Sequence, residues 1–298
     1  MYQKIKMFWQ KLRHEETFIV VVVLVTLVIV LVMFVNVPEL GWTDHFKSTK
    51  ERVWELAKLL IIPGTLGLIA YYLNKRQYIN TQELAARQEK SAQAIAKDQI
   101  EEAALQKYFD RMTMLLLEKE LRDQAKDSEV SSLAEVRTLT VLRRMNGERK
   151  RNILHFLYES GLIMATKQIV NLHRADLTQL SLVQTNLEQA NLAGANFTGA
   201  NLSGNVLAGA ILEQSNLTQV NLTGADLTGA NLTAAKLTQT DLTRANLTEA
   251  DLTQANLKGA KLTDTTLTMA KLTEAEYNNT TQWPDGFNPE KAGAINTG

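Results

Sequence analysis

The apolar residues of this chain follow three different rhythms. The first is an unbroken run: residues 18–35 read FIVVVVLVTLVIVLVMFV, with Thr26 the one polar side chain and no charge. About 18 apolar residues reach the length that crosses the hydrocarbon core of a bilayer as a helix. Val and Ile suit strands in water, but in lipid only a helix satisfies its own backbone. Asn36, Val37, Pro38 and Glu39 offer no small-residue cleavage site, so the run reads as a span and not as a leader peptide. A second run at 54–73, WELAKLLIIPGTLGLIAYYL, reads as a second span, with an interfacial or re-entrant segment as the other reading. Transmembrane helices tolerate Pro63 and Gly64. Glu55 and Lys58 lie near the start of the run, where they can snorkel to headgroups, and Trp54, Tyr71 and Tyr72 suit an aromatic belt.

The second rhythm is helical. Thr81 to Gln124 is rich in Ala, Glu, Gln, Lys, Arg and Leu, without Gly or Pro, and predicts a long stalk helix, bounded at 74–127. Leu84, Ile95, Leu105, Phe109, Met112 and Leu116 form a stripe at four- and three-residue steps, interrupted by Gln88, Asp98 and Glu102. The stripe fits either a coiled coil with a sister chain or a stalk folding onto its neighbours. Two shorter helices follow at 128–161. One is capped by Ser131 or Ser132 and runs to Asn146 and Gly147, with Leu133, Val136 and Leu139 on one face. The other runs from Glu148 to Ser160 and stops at Gly161. Its Ile153, Leu154, Phe156 and Leu157 should close the first turn of what comes next. Arg143, Arg144, Arg149, Lys150 and Arg151 form a basic cluster, read either as a patch for an anionic partner or as a solvated helix corner.

The third rhythm has a period of five. A large apolar residue recurs without insertion from Leu172 to Tyr277. Its column includes Leu192, Phe197, Leu202, Leu222, Leu227, Leu232, Leu247, Leu252 and Leu257. Two residues earlier stands Ala, as in Ala195, Ala230 and Ala255; Asn or Asp lies between; Thr usually follows. Five fits neither helix nor flat strand. It fits a coil that turns one corner per repeat and points one large and one small side chain inward. Stacked coils then bury a continuous ladder, and no repeat is stable alone. Leu180, Thr185, Asn205, Ser215, Val220, Thr240 and Thr265 replace the inward Ala, and the polar ones need backbone partners.

This pattern resembles the pentapeptide-repeat family, whose motif is A(D/N)LXX. The resemblance implies a right-handed quadrilateral β-helix with four repeats per coil. Roughly 22 repeats then give about five and a half coils, a rod ~26 Å long. The tail with Trp283 and Phe287 offers a lid for the far end, as Phe156 and Leu157 do for the near one. The tail and the helical middle look like those of cyanobacterial members.

The expected fold is therefore α+β in separate units: an N-terminal transmembrane helical hairpin, a helical linker region and a C-terminal solenoid. The boundaries are a cytoplasmic tail at 1–17, spans at 18–35 and 54–73 joined by a loop at 36–53, the stalk at 74–127, the capping helical pair at 128–161, the solenoid at 162–280 and a cap and tail at 281–298. Lys4, Lys6, Lys11 and Arg13 on one flank and Lys75, Arg76, Arg87 and Lys90 on the other favour both ends in the cytoplasm. The loop carries Lys47, Lys50 and Arg52.

Composition narrows the function. The 298 residues carry no net charge and no cysteine, which argues against a nucleic-acid footprint and excludes thiolate chemistry. His14, His45, His155 and His173 are scattered, without metal-ligand spacing, and no phosphate loop or nucleophile elbow occurs. No catalytic residue, cofactor or metal is expected. The reading is a membrane-tethered interaction scaffold, in a plasma or thylakoid membrane, with the solenoid in the cytoplasm. Its partners would be the lipid bilayer and a membrane-associated protein, with room for a homo-oligomer through the stalk or the solenoid end. Some family members mimic DNA and bind gyrase, which implies a strongly acidic surface; here Asp176, Glu188, Glu213 and Asp226 are offset by Arg174, Lys236, Arg244, Lys258, Lys261 and Lys271. Ice or carbohydrate binding by the Thr ladders is a third reading.

Overall fold

The computed structural model describes the backbone of residues 44–126 and 128–298, with side chains from residue 63 onward. The first expected span, the N-terminal tail and most of the connecting loop lie outside the described residues. The chain divides into two compact units, Met1–Gln93 and Ala94–Gly298.

Helix α1 runs from Asp44–Glu118 without a break. It begins inside the segment expected as a loop and carries Pro63 within it, so the second expected span and the stalk are one helix. Among the described residues no helix is long and apolar enough to cross a membrane. In the first unit the described side chains of α1 are almost all exposed, including Leu66, Leu68, Ile69 and Leu73.

In the second unit the last turns of α1 bury Leu105, Tyr108, Met112 and Leu115. These lie at steps of three, four and three, one face of a helix. The expected stripe differs: Leu84 and Ile95 are exposed, and Phe109 and Leu116 flank the buried line. A stripe with a period of 3.5 drifts around a straight helix, so its early members leave the face that its late members share.

After a 3₁₀ turn at Leu121–Asp123, α2 spans Glu129–Leu142 and α3 spans Gly147–Glu159. Ser128, not Ser131 or Ser132, caps α2, its hydroxyl accepting the Ser131 amide at 3.2 Å. Ser131 is buried and donates its own hydroxyl to the Ser128 carbonyl. The inward face of α2 is Ala134, Thr138, Val141 and Leu142, while Leu133 and Val136 face solvent. Small residues win because they bring the α2 backbone close enough for Tyr108 to reach Thr138 at 3.0 Å. Thr138 gives its proton to the Ala134 carbonyl, so the Tyr108 hydroxyl is the donor. Burial raises the Tyr108 pKa far above that of an ordinary phenol, more than the Thr138 bond lowers it. Asn146 caps α3 through the Arg149 amide at 3.0 Å, and Gly161, at φ 68°, ends it.

The remainder is the solenoid. A short antiparallel hairpin, β1 (Ile163–Met164) with β2 (Lys167–Gln168), opens it. Ala165 donates to Gln189 and Asn191 donates to Ile163, so the hairpin closes part of the first coil's free edge. From Asp176 the ladder is parallel and steps by twenty residues: Asp176 pairs with Asn196, Asn196 with Asn216, Asn216 with Lys236. Twenty residues are four repeats, the coil of a right-handed quadrilateral β-helix. The core residues Leu192, Phe197, Leu202, Leu222, Leu227, Leu232, Leu247, Leu252 and Leu257 are all at or below 1 % exposure. Near the end β3 (Glu276–Tyr277) pairs in parallel with β4 (Ile295–Asn296).

Candidate interaction surface

The repeat builds each face from two local devices. The first is an Asx turn. Asn196 Oδ1 accepts the Thr198 amide at 3.1 Å and the Thr198 hydroxyl at 2.6 Å. Asp176, Asn216, Asp226, Asp241 and Asn246 hold Thr178, Thr218, Thr228, Thr243 and Thr248 in the same way. The turn itself needs only an acceptor oxygen, which is why Asn and Asp interchange at this position. Thr therefore sits in a turn, and in these repeats its hydroxyl is directed into the corner rather than outward.

The second device is the corner residue after Thr. It adopts φ near +58°, as at Gln219, Gln239 and Arg244, while the next amide returns to the Leu carbonyl. A single positive φ at the third residue marks a type II turn, where glycine is unstrained. Ala234 stands there at φ 54°, a conformation strained for any residue with a Cβ. Ala234→Gly should raise unfolding stability by ~1 kcal/mol, read as a higher urea midpoint at unchanged slope.

The inward polar replacements find backbone partners. The hydroxyls of Ser215, Thr240 and Thr265 donate to the carbonyls of Leu212, Leu217 and Leu242 at 2.7, 2.7 and 2.8 Å. Asn205 accepts the Thr185 amide at 2.9 Å, while its Nδ2 is buried without a partner among the described residues.

Charges on the faces pair between successive coils. Lys261 lies 3.7 Å from Asp241, Lys271 lies 3.3 Å from Asp251, and Arg244 lies 3.9 Å from Asp264. Each pair is one coil apart, so acid answers base along the rod. This is unlike the uniformly acidic surface that a DNA mimic presents.

The basic cluster is divided by the fold. Arg149 and Lys150 point inward, so they cannot belong to a surface patch. Arg149 lies 2.8 Å from Asp98, 3.1 Å from Glu101 and 3.1 Å from Glu102, fastening α3 to α1. Its hydrogen bond to Asp98 is the main cause of its raised pKa. Lys150, with a side chain 5 % exposed, reaches Asp176 at 2.8 Å and the Thr178 carbonyl at 3.2 Å on the first coil. Arg143, Arg144 and Arg151 remain outside, and Arg151 lies 3.6 Å from Glu148. Two residues of one helix that are adjacent in sequence thus bind opposite neighbours, which sequence adjacency alone had merged into one patch.

Burial would raise the Asp176 carboxyl, but the bonds from Lys150 and from the Thr178 hydroxyl and amide outweigh it and hold the pKa below the ordinary value of 3.8. Asp241 is lowered likewise, with Thr243 outweighing burial, and Asp251 chiefly by Thr253. A lowered native pKa gives stability that is complete above the unfolded value and is lost as pH falls through the native one. The urea midpoint should therefore stay level on acidification until about pH 4 and then fall.

Phe156 and Leu157 were expected together as a cap, but one helical step parts them. Leu157 is fully buried, whereas the Phe156 ring packs on Phe109 at 5.2 Å and Tyr108 at 6.3 Å, against α1. Polar and close contacts of α3 with the first coil are made by Lys150, by Tyr158, whose hydroxyl donates to the Glu188 carbonyl at 3.2 Å, and by Gly147, while Leu157 belongs to the same buried cluster as Leu172 and Leu177. A Cβ at Gly147 would run into the carbonyl oxygen of Gln179. At the far end Trp283 meets the edge of Tyr277 at 5.5 Å and stacks on Phe287 at 5.3 Å, both half-buried against the core.

The family model for pentapeptide repeats matches residues 171–204, 206–239 and 240–276, the same stretch that carries the twenty-residue ladder. The chain belongs to the pentapeptide-repeat family. Such proteins are generally non-catalytic and serve as protein-interaction or regulatory scaffolds. Among solved structures it is similar to a pentapeptide repeat protein of the Arabidopsis thaliana thylakoid lumen, at 29 % identity over 32 % of this chain and 67 % of that one, with TM-score 0.32. It is similar to one from the cyanobacterium Cyanothece 51142, at 35 % identity over 39 % and 68 %, with TM-score 0.17. A third, from Nostoc PCC 7120, is 24 % identical over 49 % and 94 %, with TM-score 0.24. No curated protein matches the chain. Among the described residues no group of His, Asp and Glu could hold a metal ion.

Proposed function

We propose that this pentapeptide-repeat protein is a membrane-tethered scaffold that holds a partner protein close to a bilayer. The observation that carries the reading is the self-sufficiency of the solenoid faces. In the central coils the Asx oxygens and corner amides are bonded within or between coils, and several charges pair between coils, so the surface is preformed and little order is lost on binding. The anchor rests on the apolar runs at 18–35 and 54–73. Confining the rod to a membrane raises its effective concentration toward complexes there, such as transporters or photosynthetic and envelope machinery. The charge of the flanking segments favours a cytoplasmic solenoid.

Attachment is tested by alkaline extraction of membranes: the full chain should stay in the pellet, and release into the supernatant would remove the tether. Binding is tested by crosslinking and capture from solubilised membranes. Recovery of a distinct membrane protein supports the scaffold, and recovery of this chain alone argues against it. Proximity labelling from the C-terminus reports which side the solenoid faces.

A further inference from the structure

Within each coil two kinds of amide reach forward to the next coil. The amide of the large apolar residue and that of the corner residue donate to carbonyls one coil on, as Leu227 does to Asn246 and Gly229 to Thr248. In return the inward small residue offers its carbonyl, as Ala225 does to the Asn246 amide. The last coil has no successor, and the tail replaces it only in part. Gln282 answers Leu262 and Ala260, Gly293 answers Glu274, and Ile295 answers Ala275.

Between these points the tail leaves the ladder. Residues 283–292 make no ladder bond to the edge 264–272; Trp283 packs instead against Tyr277 and Phe287 stacks on Trp283. The ring cluster covers only part of the end, and the edge beside it is bare. The amides of Asp264, Leu267, Met269 and Leu272 and the carbonyls of Thr265 and Ala270 have no hydrogen-bond partner among the described residues. Burial falls at the same place. Leu267 and Ala270 are half-buried, unlike their counterparts in earlier coils, and Met269 is 74 % exposed.

We propose that this edge, 264–272, docks a segment of a partner protein that bends at the same corners, which Asp264 and Met269 mark at φ 58° and 57°, and so continues the parallel ladder that the tail interrupts. A bare edge flanked on both sides by paired backbone already holds its amides in the register that a further coil would need. Its donors outnumber its acceptors, so it favours a segment that presents mainly carbonyls. A second copy offers the wrong complement. The opposite end of its solenoid is occupied by β1, β2 and α3, and its own bare edge would set amide against amide. The inference rests on the scaffold reading and names the surface that reading uses.

The probe is a capped peptide with the sequence of residues 241–254. In the native rod that segment lies on the coil before it, and there the carbonyls of Thr243, Asn246, Thr248 and Asp251 accept from Gly224, Leu227, Gly229 and Leu232. These four amides stand one coil-pair before Asp264, Leu267, Met269 and Leu272. Site-resolved hydrogen exchange is read on the full chain in detergent. At saturating peptide, exchange should slow roughly tenfold or more at those four amides and not at Thr268. Ala270→Lys, which sets a long side chain at the edge, should abolish the slowing while the circular dichroism is unchanged. No slowing in the native chain, or uniform slowing that includes Thr268, overturns the proposal. Protection that rises with protein concentration alone, with a dimeric mass, overturns it in favour of a second copy. If capture from membranes recovers a partner equally well with the Ala270→Lys chain, the edge is wrong and the scaffold stands.

Discussion

Leu227→Ala should lower the unfolding free energy by about 4 kcal/mol, one of the largest effects available to a single truncation in this molecule. Leu227 is fully buried between Leu207 and Leu247, its counterparts one coil below and above. The truncation loses the transfer energy of the side chain and leaves a cavity. What decides the cost is whether neighbours can collapse into that cavity. Here they cannot do so easily. The coils are held at ladder spacing by hydrogen bonds above and below, such as Leu207 to Asp226 and Leu227 to Asn246. Leu267 provides the internal control, since it lies in the same column but on the bare edge and is half-buried. Its replacement by Ala should cost ~1 kcal/mol, because water already reaches one side and can fill the space. Because each coil touches only its neighbours, the central lesion should also uncouple the two halves of the rod. Urea unfolding of Leu227→Ala should then broaden, with a smaller slope, while Leu267→Ala keeps the native slope. Equal losses at the two positions would show that coil spacing relaxes freely, against the rigidity that the scaffold reading uses.

The period of five made the solenoid legible because every repeat states the same instruction. A large side chain and a small one inward, an acceptor before the turn and a hydroxyl after it recur from Leu172 to Tyr277. Even the departures were readable: Ser215, Thr240 and Thr265 need a carbonyl, and each finds one. The twenty-residue step was not in the period itself. It came from the resemblance, and the ladder from Asp176 to Asn196 and onward supplies it physically.

The helical region was less legible because its faces are chosen by partners far away in sequence. Arg149 answers Asp98, fifty-one residues earlier, and Lys150 answers Asp176, twenty-six residues later. Nothing local parts the two. In the same way Thr138 and Ala134, poor hydrophobes, outrank Leu133 and Val136 for the inward face of α2 because Tyr108 waits there. The departure of the tail from the ladder did have a sequence signal. Pro284 and Pro289 lack the amides that a continuing coil would donate at regular positions, and the A(D/N)L motif stops at Tyr277. Those features mark where the edge goes bare.

The junction of α3 with the first coil leads to the second large effect. Asp176→Ala should destabilise the chain by roughly 2–3 kcal/mol, and Lys150→Met by less than about 1 kcal/mol. The asymmetry follows from where the two charges sit. The Lys150 side chain is 5 % exposed, and that of Asp176 is 36 % exposed. Removing the carboxylate leaves a buried ammonium with only the Thr178 carbonyl and hydroxyl for company, at 3.2 and 3.4 Å. The cost falls short of that of a wholly buried pair because water reaches the outer side of Asp176. Removing the ammonium instead leaves a carboxylate that keeps the Thr178 amide and hydroxyl and gains water, while Met fills the channel the Lys stem occupied. The acid response separates this pair from a general packing loss. Asp176→Ala should flatten the fall in the urea midpoint below about pH 4, since the group whose lowered pKa contributes there is gone. Lys150→Met should flatten it only in part, because the Thr178 bonds still hold the carboxyl down. Equal costs for the two variants, with an unchanged acid response, would mean that Lys150 is held by its stem and that the ion pair contributes nothing to seating α3 on the solenoid.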